Sequence, residues 1–403
     1  MEKKFTTEAI FEGNERYTKC IARQNKIYQR ENDLRSPFSR DYTRLIFSQG
    51  YRRLKHKTQV FFAPANDHVC TRSEHVNLVD SISSTLAIEL GLNTELTKAI
   101  AHGHDIGHAP FGHGGEHILK ELCKKYNLPL FFHEKNSLYF IDNIETLQDD
   151  NHHRHNLNLT YAIRDGIISH CGEVNQKNIM RRDEYIDLQD YQHPGQFAPY
   201  TWEGCVVKMS DKIAYLARDI EDALRLEIID ENKVLELRQQ LNKIVKKPFN
   251  AINNGTIVNY FITKICLHSN LQVGISLDDE SFEVMKKLMK FNYENIYLID
   301  RVKVHNNYVA LILQSLFDVL YKLYDGNLEA NLQTSLKDYP QLTTSYKHWL
   351  TKYQINNAST IYQNKKIYDL NEQNDQIKSI IDFLSGMSDA YIITLFNEQL
   401  SFR

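Results

Sequence analysis

The stretch CVVKMSDKIAYLARDIEDALRL, residues 205 to 226, places apolar side chains at Val206, Met209, Ile213, Leu216, Ile220 and Ala223. Steps of three and four residues keep one face of a helix apolar, whereas a half-buried strand would alternate by two. The same spacing recurs in HVNLVDSISSTLAIEL (75–90), NSLYFIDNIETL (136–147) and NYVALILQSLFDVLYKLY (307–324). Only 16 Gly and 8 Pro punctuate the 403 residues, so the chain reads as all-α. With 42% hydrophobic residues it can fill a sizeable core.

Charge and cysteine usage narrow the class. Lys and Arg number 48 against 51 Asp and Glu, a net charge of −3, which gives no overall basic field toward nucleic acid or an anionic membrane. The six cysteines (Cys20, Cys70, Cys123, Cys171, Cys205, Cys266) stand singly, without a C-x-x-C pair, as reduced thiols do. The N-terminal MEKKFTTEAIFEGNERY has no apolar signal core, and the most apolar later run is broken by Gln314, Ser315 and Asp318. We therefore expect a soluble cytoplasmic protein with no membrane partner. Neither a 20- to 50-residue repeat nor a low-complexity linker divides the chain. The expected organisation is a polar N-terminal arm (1–33), a core domain (34–325), and a C-terminal helical appendage (326–403) where Asn, Gln, Lys and Tyr become frequent.

The chemistry concentrates in AHGHDIGHAPFGHGGEH (101–117), which holds five of the seventeen histidines beside Asp105 and Glu116. Gly91 and Asn93 read as a helix stop and restart, which puts His104 and Asp105 near the end of the next helix. Adjacent helical positions point about 100° apart, so these two side chains share a cation only if other elements converge on it. The candidates are His75 in TRSEHV and Asp211 in KMSDKIAYLARD. Two imidazoles with two carboxylates suit a divalent ion such as Mn²⁺, Fe²⁺, Co²⁺, Ni²⁺ or Zn²⁺ better than an all-oxygen Mg²⁺ site. Mn²⁺ heads that expectation, although the donor set does not single out one ion. His-Asp dipeptides also arise by chance, and spacing alone does not decide.

In order and context these residues resemble the H…HD…D signature of the HD-domain phosphohydrolases. The surrounding text is closest to the dGTPase-like deoxynucleoside triphosphate triphosphohydrolases. The likeness rests on RDYTRLIFSQGYRRLKHKTQVF (40–61), TRSEHV (71–76), AHGHDIGHAPFGHGGE (101–116), NLNLTYAIRDGIISH (156–170) and SDKIAYLARDIED (210–222). It is close over about 34–225 and thins afterwards. It implies an HD-domain helical bundle with additional C-terminal helices, and conversion of a dNTP to a deoxynucleoside and inorganic triphosphate.

The resemblance also implies roles. An ion at His75, His104, Asp105 and Asp211 would grip an α-phosphate oxygen and activate a water. His108 and His113 would face the phosphates, with His113 the general-acid candidate. Glu116, one helical turn beyond His113, would orient that ring. His133 and Glu134 would form a second acid–base pair. Arg72 and Lys212 would bind phosphate, and Gln59 would contact the sugar. Asp211, Tyr215 and Asp219 share one helix face at four-residue spacing, so Tyr215 can pack on the sugar and Asp219 can accept its 3′-OH.

Ordinary roles stand beside these. His108 can instead rigidify a helix junction, either His-Glu pair can be idle, and Tyr215 can be core. Where the family commonly has TRLTHS this chain has TRSEHV, so Glu74 either biases the metal site or points to solvent. The segment after His133 differs too, leaving open which carboxylate partners which histidine. Rival functions are an HD-type 5′-nucleotidase or phosphodiesterase, and a non-catalytic HD protein sensing nucleotides or single-stranded nucleic acid. Relatives suggest three partners to look for: a homo-oligomer (tetramer or hexamer), a dNTP activator and single-stranded DNA.

Overall fold

A computed structural model describes residues 3–26, 33–62, 66–172, 176–356 and 359–401. Among these the chain is all-α, with two small antiparallel ribbons. One pairs Thr146–Gln148 with Arg154–Asn156, and the other pairs Asn178–Ile179 with Ile275–Ser276.

The periodic stretches form the central helices. Arg72–Leu90 ends at Gly91, whose φ of 84° is a left-handed cap that a side chain would strain. Asn93 then caps Thr94–Gly103, its side chain accepting from the Glu95 and Leu96 amides. These two helices pack on each other and on the long helix Trp202–Arg225, with Tyr161–Ile168 closing the group. Val76, Val79, Ile100, Ile163, Val206 and Ile213 meet there with no more than 1% of their surface exposed. Burying each such side chain contributes about 1.5–3 kcal/mol, which outweighs the weak intrinsic propensity of so many β-branched residues for helix.

A second, separate apolar cluster lies C-terminal in the fold. Leu313, Leu316, Phe317 and Leu320 of helix Asp300–Tyr321 pack on Leu119 and Leu122 of helix Gly112–Lys125. Ile377, Ile380 and Leu384 of Gln373–Ser385 and Ile392 and Leu395 of Asp389–Leu400 complete it. The loop between His104 and Gly112 runs from one core to the other. Ile106 belongs to the first cluster, and Ala109 and Phe111 belong to the second.

Packing departs from the expected organisation at both ends. Much of the polar N-terminal stretch is docked: Phe5, Ile10 and Cys20 are buried in the main core, and the Phe5 amide donates to Leu90 at 2.9 Å. A few well-placed apolar residues anchor a segment whose average composition is polar. The boundary expected at 33 adjoins residues 27–32, which lie outside the described residues. At the other end, helix Asp300–Tyr321 shares its core with the helices after 326, so no packing break falls at 325. No single described helix is long and apolar enough to cross a membrane.

Candidate active site

Three helices deliver the metal-type cluster: His75 from the start of one, His104 and Asp105 from the end of a second, and Asp211 from the middle of Trp202–Arg225. His75 sits in the first turn of Arg72–Leu90. Glu74 accepts the Thr71 amide at 2.8 Å and so fixes that helix start; this is what the unusual glutamate does here. His104 caps the C-terminus of Thr94–Gly103. Its Nδ1 lies 2.7 Å from the Ala101 carbonyl, which can only accept, so Nδ1 donates there and in the neutral ring Nε2 is the nitrogen that carries the lone pair. That Nε2 is buried and has no hydrogen-bond partner among the described residues.

The other donors converge on it. Asp105 Oδ1 is 3.4 Å and Asp211 Oδ1 3.8 Å from His104 Nε2, and His75 Nε2 is 2.9 Å from Asp211 Oδ1. Bonds of about 2.0–2.2 Å to one ion put neighbouring donors about 3 Å apart, so the set fits a cation with small adjustments. A buried acceptor nitrogen facing two carboxylates is costly without an occupant, and a divalent ion is the occupant that satisfies all of them. Burial alone would raise the Asp105 pKa, but the Arg72 guanidinium 2.8 Å away, the largest opposing influence, holds it well below the carboxylate range. Asp211 is likewise held low against its burial, chiefly by its hydrogen bond to His75.

Beyond the cluster the loop turns sharply. Phe111 has φ 60° and Gly112 φ 58°, consecutive left-handed residues that redirect the chain into helix Gly112–Lys125. A left-handed phenylalanine is unfavourable by about 1–2 kcal/mol, and a tertiary contact offsets it. Asp389, at the start of the last helix, accepts the Phe111 amide at 2.8 Å and the Thr58 amide at 2.7 Å. Gly107 allows the other close approach, since a Cβ there would lie 2.0 Å from the Ser137 amide nitrogen.

The turn decides which histidine meets which carboxylate. Glu116 accepts the His133 amide at 2.9 Å and lies 3.2 Å from His133 Nδ1, closer than to His113 Nδ1 at 3.6 Å. Glu134 Oε2 is 3.4 Å from the same His133 nitrogen, while its Oε1 accepts the Tyr191 hydroxyl at 2.8 Å. Burial disfavours a charged imidazole at His133, yet Cys171, Glu116 and Glu134 together hold its pKa well above the ordinary histidine value. Burial pushes the Cys171 thiol up to about 11, so near pH 7 it is neutral, and the two carboxylates keep His133 protonated.

His108 is the buried member of the pair expected to face the phosphates. It is fully buried, stacks on His133 with ring centroids 3.9 Å apart, and lies 3.3 Å from Asp105 Oδ1. Burial and the positive Arg72 and His133 hold its pKa well below the histidine value, so it is a neutral ring. His113 is the exposed member of the group, with 79% of its side chain accessible.

These residues face a cavity of about 1160 Å³. Its wall includes His75, Asp105, His108, His113, His133 and Asp211, with Arg72, Gln59, Lys212, Tyr215 and Asp219 among the groups expected to bind substrate. His104, Glu116 and Glu134 stand behind the wall. Arg72 is engaged: it donates to Asp105 Oδ2 at 2.8 Å and to the Thr58 carbonyl at 3.2 Å, so it orients a carboxylate of the cluster. Gln59 Oε1 is buried without a hydrogen-bond partner among the described residues. Asp219 accepts the Tyr297 hydroxyl, and burial raises its pKa to about 7.

Sequence reasoning passed over several of these. His170 stood inside a quoted block but was given no role; its ring is 4.9 Å from that of His104. Tyr297 comes from a π-helical turn, Tyr293–Tyr297, for which no periodicity signals. Arg301, Lys303 and His305 line the mouth from a helix distant in sequence.

Comparison with known proteins agrees with this geometry. Residues 72–216 match the HD domain family, a span that begins at Arg72 and ends five residues beyond Asp211. A deoxyguanosinetriphosphate triphosphohydrolase-like protein of Desulfatibacillum aliphaticivorans is 35% identical over 76% of this chain and 80% of its own length. Proteins of the same description from Caldanaerobacter subterraneus subsp. tengcongensis and Clostridium tetani are 30% and 31% identical, over 91% and 92% of this chain and 85% and 87% of theirs. With the HD-type cluster in place and likeness at this level over most of its length, the chain belongs to the HD-domain family of deoxyguanosinetriphosphate triphosphohydrolase-like proteins.

Proposed function

We propose that this phosphohydrolase-family chain hydrolyses deoxynucleoside triphosphates, dGTP among them, to a deoxynucleoside and inorganic triphosphate. One observation carries the reading: a His104 Nε2 with no hydrogen-bond partner among the described residues, set with His75, Asp105 and Asp211 beside a cavity whose wall also holds the nucleoside-type contacts Gln59, Tyr215 and Asp219. His75, His104, Asp105 and Asp211 would hold a divalent ion, Mn²⁺ by preference. Bound there, it supplies Lewis-acid polarisation of a phosphoryl oxygen and lowers the pKa of water.

The chain's own groups do the rest. Lys212 and the mouth residues Arg301 and Lys303 draw the polyphosphate in, while Arg72 keeps Asp105 ionised and aimed. Tyr215 packs on the deoxyribose, and Asp219, positioned by Tyr297, meets the 3′-OH. Protonated His133 shares Glu116 with exposed His113, so a proton given by His113 to the departing 5′-oxygen is replaced along His133, Glu116 and His113. Neutral His108 spaces His133 from Asp105.

The exposed apolar stripe Val304, Tyr308 and Leu311 on helix Asp300–Tyr321 supports homo-oligomer formation. A dNTP activator and single-stranded DNA remain proposed partners, and the proposed compartment is the cytoplasm. The test is incubation of pure protein with each dNTP, each rNTP and a nucleoside monophosphate, under Mn²⁺, Mg²⁺ or Co²⁺, with products separated by anion exchange. Tripolyphosphate with nucleoside is expected. Orthophosphate released from a monophosphate would establish the nucleotidase instead, and no turnover with any metal or dNTP mixture would refute catalysis.

A further inference from the structure

Behind the stacked pair His108 and His133 a second group of donors closes up. His133 Nε2 is 3.1 Å from Cys171 Sγ, and His170 Nε2 is 3.2 Å from the same sulfur. The three donor atoms all lie within 4.8 Å of one another. None of the three belongs to the set His75, His104, Asp105 and Asp211, and all three side chains line the cavity.

Both imidazoles are held from behind. His170 Nδ1 donates to the Ile167 carbonyl at 2.6 Å, which leaves its Nε2 as an acceptor facing the sulfur. His133 Nδ1 is fixed by Glu116 at 3.2 Å to each carboxylate oxygen, so Nε2 is the nitrogen turned toward Cys171. Carbonyl and carboxylate partners on the far nitrogen are how metal-ligating histidines are oriented. The spacing also suits an ion. With bonds of about 2.3 Å to sulfur and about 2.0–2.1 Å to nitrogen, a tetrahedral centre sets its sulfur and nitrogen donors roughly 3.5 Å apart. The observed distances need to open by only a few tenths of an ångström.

We propose that His133, His170 and Cys171 form a second metal site, specific for a thiophilic ion such as Zn²⁺ or Cd²⁺, and that an ion bound there inhibits the enzyme. Selectivity follows from the ligands: an N₂S set with one thiolate prefers soft ions, whereas the two-carboxylate cluster beside it accepts harder ones. The cavity side leaves a fourth position for water. On loading, the thiol proton and the proton on His133 Nε2 pass to solvent, so the ion replaces one of the two protons of the His133 imidazolium and leaves a neutral ring whose Nδ1 proton, held to Glu116, no longer replaces the one given by His113. The site stands on geometry alone; its inhibitory effect rests on the proposed reaction.

Cobalt titration separates the two. Co²⁺ added to the purified wild-type chain is expected to give a near-ultraviolet thiolate-to-metal charge-transfer band, saturating at one equivalent beyond the HD cluster. Cys171→Ser is expected to abolish that band while keeping the weaker visible bands of the first site, and His170→Asn to weaken the binding at least tenfold. No band in the wild type, or a band undiminished in Cys171→Ser, overturns the site, and neither result depends on turnover. With Mn²⁺-loaded protein, the apparent zinc inhibition constant should rise at least tenfold in Cys171→Ser, each protein being measured against its own zinc-free rate. Equal inhibition in both overturns the inhibitory role.

Discussion

Replacing Asp389 with alanine should disable a site whose histidine loop it holds from 278 positions away, at Phe111. Asp389 is 2% exposed and accepts two backbone amides, Thr58 at 2.7 Å and Phe111 at 2.8 Å, from the two segments that carry Gln59 and the loop from His108 to His113. Alanine leaves both N–H groups buried and unpaired, at about 1–3 kcal/mol each, and removes what offsets the left-handed Phe111. The worked expectation is a stability loss of roughly 2–6 kcal/mol, read as a lower urea midpoint with unchanged slope. Where the chain still folds, kcat should fall on the order of 100-fold, because displacing reacting groups by about 1 Å costs that much. Asparagine keeps one carbonyl acceptor but turns an NH₂ donor on the other amide, so Asp389→Asn should recover about half the stability and little of the rate. An unfolding free energy within about 0.5 kcal/mol of wild type, with kcat/KM unchanged, would refute the reasoning.

Other expectations follow from single groups. In Mn²⁺-loaded protein, His104→Ala and Asp105→Ala should each remove stoichiometric manganese by elemental analysis and abolish turnover; one equivalent of manganese retained in both would exclude this cluster as the site. Asp219→Ala should raise KM for dNTPs by tenfold or more with a smaller change in kcat, and a fall in kcat alone would remove Asp219 from substrate binding. Burial raises the Glu203 carboxyl to about 7, against hydrogen bonds from the Ile10 and Asn93 amides, both at 3.0 Å, that favour the carboxylate. From the ordinary 4.5 up to about 7 the native state keeps a proton that the unfolded chain releases. Stability from this group is therefore full below the unfolded pKa and is lost as pH rises through the folded one, by at most about 3 kcal/mol. Glu203→Gln should flatten that slope in urea denaturation at a series of pH values, and an unchanged slope would assign it to other groups.

What the sequence disclosed was local or carried by resemblance. Gly91 and Asn93 announced their caps because a left-handed stop and an Asn N-cap each act within a turn of helix. His75, His104, Asp105 and Asp211 were legible through ordered blocks, and the structure brings them together. The pairing of Glu116 was not: one turn of helix suggested His113, but the Phe111–Gly112 bend and helix His133–Tyr139 bring His133 nearer. Nor could spacing show that Arg72 is engaged by Asp105, or that His108 is buried enough to lose its charge. Asp389 reaches the site only through closure of the second core, Tyr297 packs against the first from far along the chain, and the docking of Phe5 and Ile10 likewise depends on distant helices. Such contacts leave no periodic trace.

The loop from His104 to Gly112 ties its two ends to different apolar clusters, and this divides vulnerability. Damage to the helices after residue 300 loosens Phe111 and, with it, the proposed delivery of protons, while the helices that carry His75, His104 and Asp211 stay anchored in the first cluster. Variants of that kind should be metal-replete yet inert, a phenotype that assays of metal content alone would pass as healthy.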